Sequence, residues 1–217
     1  VGESGSGKTL SMLALTRLLP KQAFVEKGKI IFDQKDITNF SNKDFYKQIS
    51  GKRISMIFQE PMTALNPVYT VGRQLIETYL FHNYASRNEA YKRSINLLES
   101  VQLTNSKERM NQYPHQLSGG QRQRVMIAMS LINDPELLIA DEPTTALDVT
   151  VQKEIILLIE KLIKDLGMAM IFISHDLGVV SEISEEIIVM KEGLIIENGK
   201  TKSVINNPKK EYTNNLL

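Results

Sequence analysis

The sequence contains no cysteine, which excludes disulfide bonds, thiolate catalysis and cysteine-ligated metal. It also lacks an excess of one charge. Because 26 lysines and arginines stand against 25 aspartates and glutamates, its charge gives no reason to expect binding to nucleic acid or anionic lipid. Long apolar runs are missing as well. Met168–Ile173 is far shorter than the roughly 20 residues of a membrane-spanning helix, so we do not expect the chain to cross a bilayer.

Length and composition place the chain among globular proteins. With 217 residues, 42% of them hydrophobic and 24% charged, it can form one domain, or one domain with a sub-domain. Val1 stands immediately before a glycine-rich segment, with no basic and apolar leader in front of it. We therefore expect a domain that is truncated at its N-terminus.

Strand and helix patterns alternate in the second half of the chain. Val151–Leu166 carries apolar residues at helical spacing and ends at Gly167, the residue type preferred just after a helix. The apolar strands Leu137–Ala140 and Met168–Ile173 flank this helix. Strands that are apolar on both faces and joined by a helix predict an α/β fold with a mainly parallel sheet covered by helices.

Other segments complete the expected organisation. The further predicted elements are strands at Gly28–Phe32 and Arg53–Phe58, helical spacing over Val71–Val101, a helix from Ser118 to about Asp134, and a closing hairpin of Ile187–Met190 with Leu194–Glu197.

The glycine-rich segment at the start of the chain matches the phosphate-loop pattern, with Gly2 followed after four residues by Gly7, Lys8 and Thr9. Small residues allow consecutive backbone N–H groups to surround phosphate oxygens, and the next helix directs its positive end toward them. Lys8 would reach the β- and γ-phosphates, and the Thr9 hydroxyl would ligate Mg²⁺. A Gly/Ser turn before a helix is the structural alternative. The residues expected to bind nucleotide here are Gly2, Glu3, Ser4, Gly5, Ser6, Gly7, Lys8 and Thr9.

Two carboxylates, Asp141 and Glu142, directly follow the strand Leu137–Ala140. In a parallel sheet, ligands bind at the edge where the strands end. Asp141 would hold Mg²⁺ through its water shell, and Glu142 would polarise the attacking water. Taken alone, such a strand end could be a capped turn, but the phosphate loop in the same chain favours the catalytic interpretation.

A second possible anion site is formed by Leu117, Ser118, Gly119, Gly120 and Gln121, an N-cap serine and two glycines at the start of a helix. This segment resembles the LSGGQ signature of the ABC ATPase family, which touches the γ-phosphate held by the opposite subunit. The family's remaining motifs follow in order. Gln59 resembles the Q-loop glutamine, Ala146-Leu147-Asp148 the D-loop, and His175 the switch histidine.

The resemblance implies a P-loop NTPase (RecA-like) core with an ABC-type helical sub-domain. It implies a single ABC ATPase domain, with the core at about residues 1–70 and 134–217 and the helical sub-domain at about residues 71–133. It assigns Glu142, His175 and Gln59 to catalysis, and Thr9, Gln59 and Asp141 to Mg²⁺. Leu117–Gln121 and Asp148 are assigned to ATP. Alone, Gln59 would be an ordinary loop residue and His175 a structural one, so the order and spacing of the motifs carry these assignments.

Longer stretches resemble the ATPase subunits of bacterial oligopeptide and dipeptide importers: ISMIFQEPMTALNPVYTVGRQL, YPHQLSGGQRQRVMIAM and LLIADEPTTALDVTVQ. These sequences are more similar to the first than to the second of the two paralogous ATPases of such systems. The ATPase subunits of nickel and glutathione importers share much of the same sequence. The resemblance implies ATP hydrolysis that powers peptide import at the cytoplasmic face of the inner membrane. The implied partners are a second ATPase subunit, identical or paralogous, two membrane-spanning permease subunits and, indirectly, a substrate-binding protein.

Two other classes of ATPase carry related segments. In DNA-repair or chromosome-maintenance ATPases a long coiled coil separates the two motifs, but no sustained heptads lie between Lys8 and Leu117. A translation factor of the ABC type would normally join two such domains. We expect no nucleic-acid partner, and we predict that Arg122 and Arg124 are solvated. His82 and His115 match no catalytic position and are predicted at the surface.

Overall fold

A computed structural model describes residues 1–145 and 147–217, with the backbone alone at residues 62 and 63. These residues divide into two compact units. Unit 1 comprises Val1–Asn39 and Phe172–Leu217, and unit 2 comprises Phe40–Ile171. These bounds differ from the core and sub-domain bounds predicted from the sequence, and that division stays a prediction.

The described chain contains both strands and helices. The strands are β1 (Ile31–Phe32), β2 (Lys35–Asp36), β3 (Ile54–Ile57), β4 (Leu137–Asp141), β5 (Ala169–Ile173), β6 (Glu186–Lys191) and β7 (Leu194–Lys200). The α-helices are α1 (Lys8–Thr16), α2 (Asn42–Gln48), α3 (Pro61–Ala64), α4 (Val71–His82), α5 (Arg87–Ser100), α6 (Ser106–Arg109), α7 (Gly119–Leu131), α8 (Val149–Leu166), α9 (Leu177–Ile183), α10 (Thr201–Asn206) and α11 (Glu211–Leu216). Among the described residues, α3 to α7 follow one another without a strand between them. Within the described ranges, none of these helices has the length and apolar character needed to span a lipid bilayer.

A three-stranded sheet has the strand order β3-β4-β5, and β3, β4 and the first three residues of β5 belong to unit 2. β3 and β4 are parallel, with Ile54 opposite Leu137 and Ile57 opposite Ala140. Both strands are buried along most of their length, because α7 packs against β3 and α8 packs against α7. Apolar strands covered by helices are what the sequence predicted for a parallel sheet.

Capping residues mark the bounds of several helices of unit 2. The helical region predicted over Val71–Val101 consists of two helices, α4 and α5, because Ser86 caps a new helix by accepting the N–H of Glu89. α8 ends where predicted, with Gly167 in the left-handed conformation at φ 63°. The fully buried side chains of this unit include Leu75, Leu98, Ile127, Leu131, Leu138, Ile139 and Ile155.

Unit 1 is organised around the antiparallel hairpin of β6 and β7, as predicted. Its turn residues Glu192 and Gly193 both have positive φ. A buried apolar cluster formed with the hairpin consists of Leu177, Val180, Ile187, Val189 and Val204, and it is flanked by the partly buried Val1, Phe172, Tyr212 and Leu216. This cluster holds the C-terminal helices to the hairpin.

The first helix of unit 1 is joined to a short ribbon. β1 pairs antiparallel with β2, so the strand predicted at Gly28–Phe32 is limited to its last two residues. Arg17, which follows α1, donates through Nη2 to the carbonyl oxygens of Ile37 and Thr38, both at 3.0 Å. These bonds connect the end of α1 to the residues just after β2.

Candidate functional site

The predicted phosphate loop is a tight backbone loop in unit 1 that leads directly into α1. Gly2, Gly5 and Gly7 have φ values of 147°, 81° and 97°, which residues with a side chain rarely adopt. Gly7 is the N-cap of α1, so Lys8 and Thr9 are its first two residues. The N–H groups in the first turn of a helix have no partner within that helix and suit an anion.

Lys8 is the buried cation of this loop, with 7% of its surface exposed. Its Nζ donates to the carbonyl oxygen of Gly2 at 2.6 Å, to that of Glu3 at 2.8 Å and to Ser6 Oγ at 3.2 Å. All three acceptors belong to the loop, so the backbone is wrapped around the ammonium group. A lysine ammonium is a compact charge on a flexible stem, and it can exchange such partners for phosphate oxygens.

The hairpin of unit 1 supports the same loop from behind. The Gly193 N–H donates to the Ser6 carbonyl oxygen at 3.0 Å, and the Met190 N–H donates to that of Val1 at 2.9 Å. A Cβ at Gly2 would lie only 2.2 Å from the Met190 carbonyl oxygen. Gly2 is therefore required by the close approach of two backbones as well as by its positive φ. The remaining loop residues Glu3, Ser4, Gly5 and Thr9 are exposed.

His175 also lies in unit 1, in the turn between β5 and α9, and it is exposed. Its neighbours fix the turn. The Asp176 N–H donates to Ser174 Oγ at 2.9 Å, and Asp176 Oδ1 accepts the N–H of Val179 at 3.2 Å as the N-cap of α9. The turn that carries the imidazole is thus fixed by hydrogen bonds on both sides of it.

In unit 2, Gln59 and Glu142 meet at the carboxyl ends of two neighbouring parallel strands. Ile57 pairs with Ala140, so Gln59 and Glu142 each lie two residues beyond a paired position. Gln59 Nε2 donates to Glu142 Oε2 at 3.0 Å. The structure thus brings together two of the three predicted catalytic residues.

The turn after β4 shapes the surroundings of the Glu142 carboxylate. Thr145 Oγ1 donates to the same oxygen, Oε2, at 3.0 Å and lies 3.3 Å from the Glu142 carbonyl oxygen. Glu142 itself has φ 44°, a conformation that favours glycine and that the surrounding turn must hold in place. Asp141, the last residue of β4, is buried with 2% exposed. The Asp141 side chain is therefore buried at the end of β4, whereas the Glu142 side chain is half-buried.

The signature segment forms the start of α7 in unit 2. Ser118 Oγ accepts the N–H of Gln121 at 3.3 Å, while Gln121 Oε1 accepts the Ser118 N–H at 3.0 Å. This reciprocal capping box fixes the first turn of the helix. Leu117 is buried and Ser118 is exposed, so the serine is open to solvent at a capped helix start.

The start of α8 lies against the start of α7. Asp148 Oδ1 accepts the Val151 N–H at 3.0 Å and caps α8. A Cβ at Gly120 would lie 2.9 Å from Val151 Cγ1, and one at Gly119 would lie 3.6 Å from Leu147 Cδ2. The signature and D-loop segments are therefore packed together, although Ala146 of the predicted D-loop lies outside the described residues.

Three predictions about charged side chains need correction. Arg122 Nη1 donates to the Leu117 carbonyl oxygen at 2.8 Å and Arg124 Nη1 to that of Val101 at 2.9 Å, so both arginines have protein partners and are only partly solvated. His82 is half-buried rather than at the surface, and its burial together with the charge of Lys52 lowers the pKa of its imidazole. His115 is exposed as predicted and stacks on Tyr113.

Sequence reasoning missed two residues that contact the predicted site residues. Thr145 follows Glu142 by three positions, and at that spacing a turn can bring a hydroxyl back to a carboxylate. This spacing was the only local sequence signal for the contact. Tyr212 accepts the Glu3 N–H through its hydroxyl at 3.2 Å across 209 positions of the sequence. A contact over that distance leaves no local pattern.

Comparison with known proteins agrees with these motifs. The family model described as ABC transporter matches residues 1–145. The oligopeptide transport ATP-binding protein OppD of Bacillus subtilis is 46% identical over all of this chain, which spans 61% of that protein. The peptidoglycan transport ATP-binding protein YejF of Agrobacterium fabrum is 48% identical over all of this chain, which spans 40% of it.

The fold is also found among solved structures. The ATP-binding cassette MJ0796, solved as a dimer in a post-hydrolysis state with ADP and Pi, superposes with a TM-score of 0.79 at 30% identity, over 92% of this chain and 83% of that one. This likeness confirms the predicted fold class, an ABC-type P-loop NTPase. By its motifs, its fold and its match to the family model, the chain belongs to the ABC transporter family.

Proposed function

We propose that this chain binds and hydrolyses ATP and thereby powers peptide import, as the nucleotide-binding subunit of a transporter. The observation that carries the proposal is the loop wrapped around Lys8, a buried ammonium group whose three acceptors all belong to a glycine-rich turn. Such a loop before a helix binds phosphate groups. The chain spans only about two thirds or less of the length of its curated relatives, so the activity is proposed for the whole protein.

Binding of ATP is assigned to the phosphate loop. Its backbone N–H groups and the start of α1 would surround the phosphate oxygens, and Lys8 would move its hydrogen bonds from the Gly2 and Glu3 carbonyl oxygens to the β- and γ-phosphates. The glycines at positions 5 and 7 allow this geometry because their φ values are positive. The loop residues Glu3 and Ser4 are exposed and accessible to the substrate.

Hydrolysis is assigned to Glu142, which would orient and polarise the water that attacks the γ-phosphate. A carboxylate acting as a base must be held with one oxygen toward the water. Gln59 and Thr145 both donate to Oε2, and these two hydrogen bonds fix the orientation of the carboxylate. His175, exposed on its turn, would stabilise charge that develops at the γ-phosphate.

Magnesium fits the residues predicted to hold it. The Thr9 hydroxyl, the Asp141 carboxylate and the Gln59 amide oxygen are hard oxygen donors of the kind that Mg²⁺ prefers. In the part of the chain that the structure describes, no three His, Cys, Asp or Glu side chains gather into a metal cluster. Mg²⁺ needs no such cluster, because one or two carboxylates and the substrate phosphates suffice. When bound, Mg²⁺ would neutralise charge on the phosphate oxygens.

A second ATPase subunit, identical or paralogous, is part of the proposal. The capped helix start at Ser118 is exposed and offers N–H groups to an anion, and we assign it to the γ-phosphate held by the partner subunit. Asp148, which caps α8 beside it, would contribute to the same contact. ATP would then join the two subunits, and hydrolysis would release them.

The cargo and membrane partners follow from the resemblance to peptide importers. We propose oligopeptides or dipeptides as cargo, two membrane-spanning permease subunits as partners, and a substrate-binding protein as an indirect partner. The chain would lie peripherally at the cytoplasmic face of the membrane, with the helical insertion between Gln59 and about Tyr113 docking the permease subunits. The relatives named for oligopeptide and peptidoglycan transport support this class of cargo.

The test is to purify the full-length protein from detergent-solubilised membranes. We expect two membrane-spanning subunits to co-purify and the complex to hydrolyse ATP, with Lys8→Ala abolishing ATP binding while the complex still assembles. Peptide uptake into vesicles should then require ATP and the unchanged Lys8. Co-purification with DNA or ribosomes in place of membrane subunits would refute the proposal.

A further inference from the structure

The phosphate loop is contacted by a tyrosine from the last helix of unit 1. The Glu3 N–H donates to the Tyr212 hydroxyl oxygen at 3.2 Å. Glu3 is also one of the residues whose carbonyl oxygen accepts from Lys8 Nζ. The Glu3 N–H belongs to the same peptide group as the Gly2 carbonyl oxygen, which accepts from Lys8 Nζ at 2.6 Å. Tyr212 therefore contacts a peptide group that itself holds the ammonium group.

Tyr212 is itself fixed from several directions. Its ring packs against the buried cluster of unit 1 together with Leu216, and Lys191 Nζ lies 4.9 Å from the ring centroid. A cation over an aromatic face is attracted by the ring quadrupole. Lys191 lies at the end of β6, next to the turn whose Gly193 N–H bonds the loop at Ser6. Tyr212 is thus attached to the same hairpin that supports the loop from behind.

The helix that carries Tyr212 is anchored as well. Glu197, a largely buried residue of β7, accepts the backbone N–H of Lys209 at 2.9 Å and that of Lys210 at 3.3 Å. These are the two residues just before α11. The helix that carries Tyr212 is anchored, its ring is packed and its hydroxyl is bonded to the loop. Tyr212 is therefore held in a fixed position against the loop.

We propose that Tyr212 is a positioning residue for ATP binding, which sets the conformation of the phosphate loop through the Glu3 N–H. This inference rests on the proposed function, in which the loop binds ATP. The hydroxyl contacts the loop backbone at Glu3, so its effect on ATP passes through the loop. Its loss should therefore weaken ATP binding without slowing the chemical step at saturating ATP.

The test uses the full-length protein in its complex, with MgATP as the probe. Tyr212→Phe removes one hydroxyl and keeps the ring. We expect the dissociation constant and the KM for ATP to rise about three- to tenfold, with kcat within about twofold of the unchanged protein, as fits the loss of one hydrogen bond that orders the loop. Leu216→Ala is the matched control, because it removes packing from the same helix. It should lower the melting temperature while leaving the KM for ATP unchanged.

The outcomes separate this inference from the proposed function. ATP binding that Lys8→Ala abolishes but Tyr212→Phe leaves unchanged would overturn only the role of Tyr212. An equal rise of KM in Tyr212→Phe and Leu216→Ala would also overturn it, because general loosening of the helix would then explain both. Absence of ATP binding by the unchanged full-length complex would overturn the inference and the proposed function together.

Discussion

Gln59 donates a hydrogen bond to Glu142 at 3.0 Å, although 83 positions separate them in the sequence. The contact follows from the parallel pairing of β3 and β4, which brings the residues after each strand to the same edge of the sheet. The Gln59 amide donates to Glu142 Oε2, and the Thr145 hydroxyl donates to the same oxygen. A carboxylate whose orientation is fixed in this way is suited to position a water molecule.

Glu142→Gln is expected to reduce ATP turnover of the full-length complex by about two or more orders of magnitude, the usual scale for removal of a general base. The amide has nearly the same shape but cannot accept a proton, so ATP binding should persist. Steady-state hydrolysis and equilibrium binding of MgATP measure the two effects separately.

Glu136→Gln provides the matched control for that substitution. Glu136 precedes the opposite end of β4 and pairs with Arg53 in an ion pair in which more than half of the glutamate side chain is exposed. Such pairs contribute about 1 kcal/mol or less to stability. We expect ATP turnover close to that of the unchanged protein. If Glu142→Gln hydrolyses ATP as fast as the unchanged protein, Glu142 is not the general base.

Thr145→Val is expected to lower kcat about three- to tenfold with little change in the KM for ATP, because Glu142 loses one of the donors that orient it. Valine keeps the size and branching of threonine without the hydroxyl. Thr145→Ser keeps the hydroxyl and should retain most of the activity. Retained activity in Thr145→Val with loss in Thr145→Ser would show that the methyl group, not the hydrogen bond, matters at this position, and equal loss in both variants would contradict a role specific to the hydrogen bond.

The sequence was sufficient to predict the elements on which these residues lie. The strand before Asp141, the N-cap at Ser118 and the helix end at Gly167 were all predicted, because apolar periodicity and capping residues are local signals. Helices α9, α10 and α11, each of seven residues or fewer, were not predicted. Two turns or less give too few apolar repeats to recognise a face.

The side-chain contacts of the site could not be predicted in the same way. Motif order placed Gln59 and Glu142 in one function, but their hydrogen bond depends on the register of two strands that are far apart in the chain. The same holds for Tyr212, whose contact with Glu3 depends on the packing of α11 against the hairpin of unit 1. Such contacts arise from tertiary packing and leave no periodicity in the sequence.

Gly120→Ala is expected to destabilise unit 2 by about 1–3 kcal/mol, as overpacking of a tight contact does. The new Cβ would lie 2.9 Å from Val151 Cγ1, and valine has few ways to move aside. Val151→Ala removes that atom, so the double variant should be more stable than the sum of the two single effects predicts. Urea unfolding of all three variants measures the coupling.

Gly119→Ala is the control for this contact, because its Cβ would lie at an ordinary 3.6 Å from Leu147 Cδ2. We expect it to be close to neutral or slightly stabilising, since alanine favours a helix more than glycine does. If Gly119→Ala and Gly120→Ala destabilise to the same extent, helix flexibility rather than the contact between α7 and α8 governs this segment.

Glu197 gives the chain a pH-dependent contribution to stability. The Thr213 hydroxyl and the N–H groups of Lys209 and Lys210, together with the Lys209 charge, hold the pKa of the Glu197 carboxyl below its ordinary 4.5. Because the folded state favours the charged form, the carboxylate stabilises the fold at neutral pH. That contribution is lost as the pH falls through the lowered pKa.

Glu197→Gln is therefore expected to lower the free energy of unfolding at neutral pH, and the difference from the unchanged protein should shrink as the pH falls below about 4. The amide still offers one oxygen to the Lys209 N–H but carries no charge to hold the start of α11. Urea unfolding at a series of pH values measures the difference.

Glu192→Gln, at the exposed hairpin turn, is the control, and its effect on the free energy of unfolding should depend little on pH. A difference for Glu197→Gln that stays constant across the series would mean that shape, and not the ionised carboxylate, holds α11 in place.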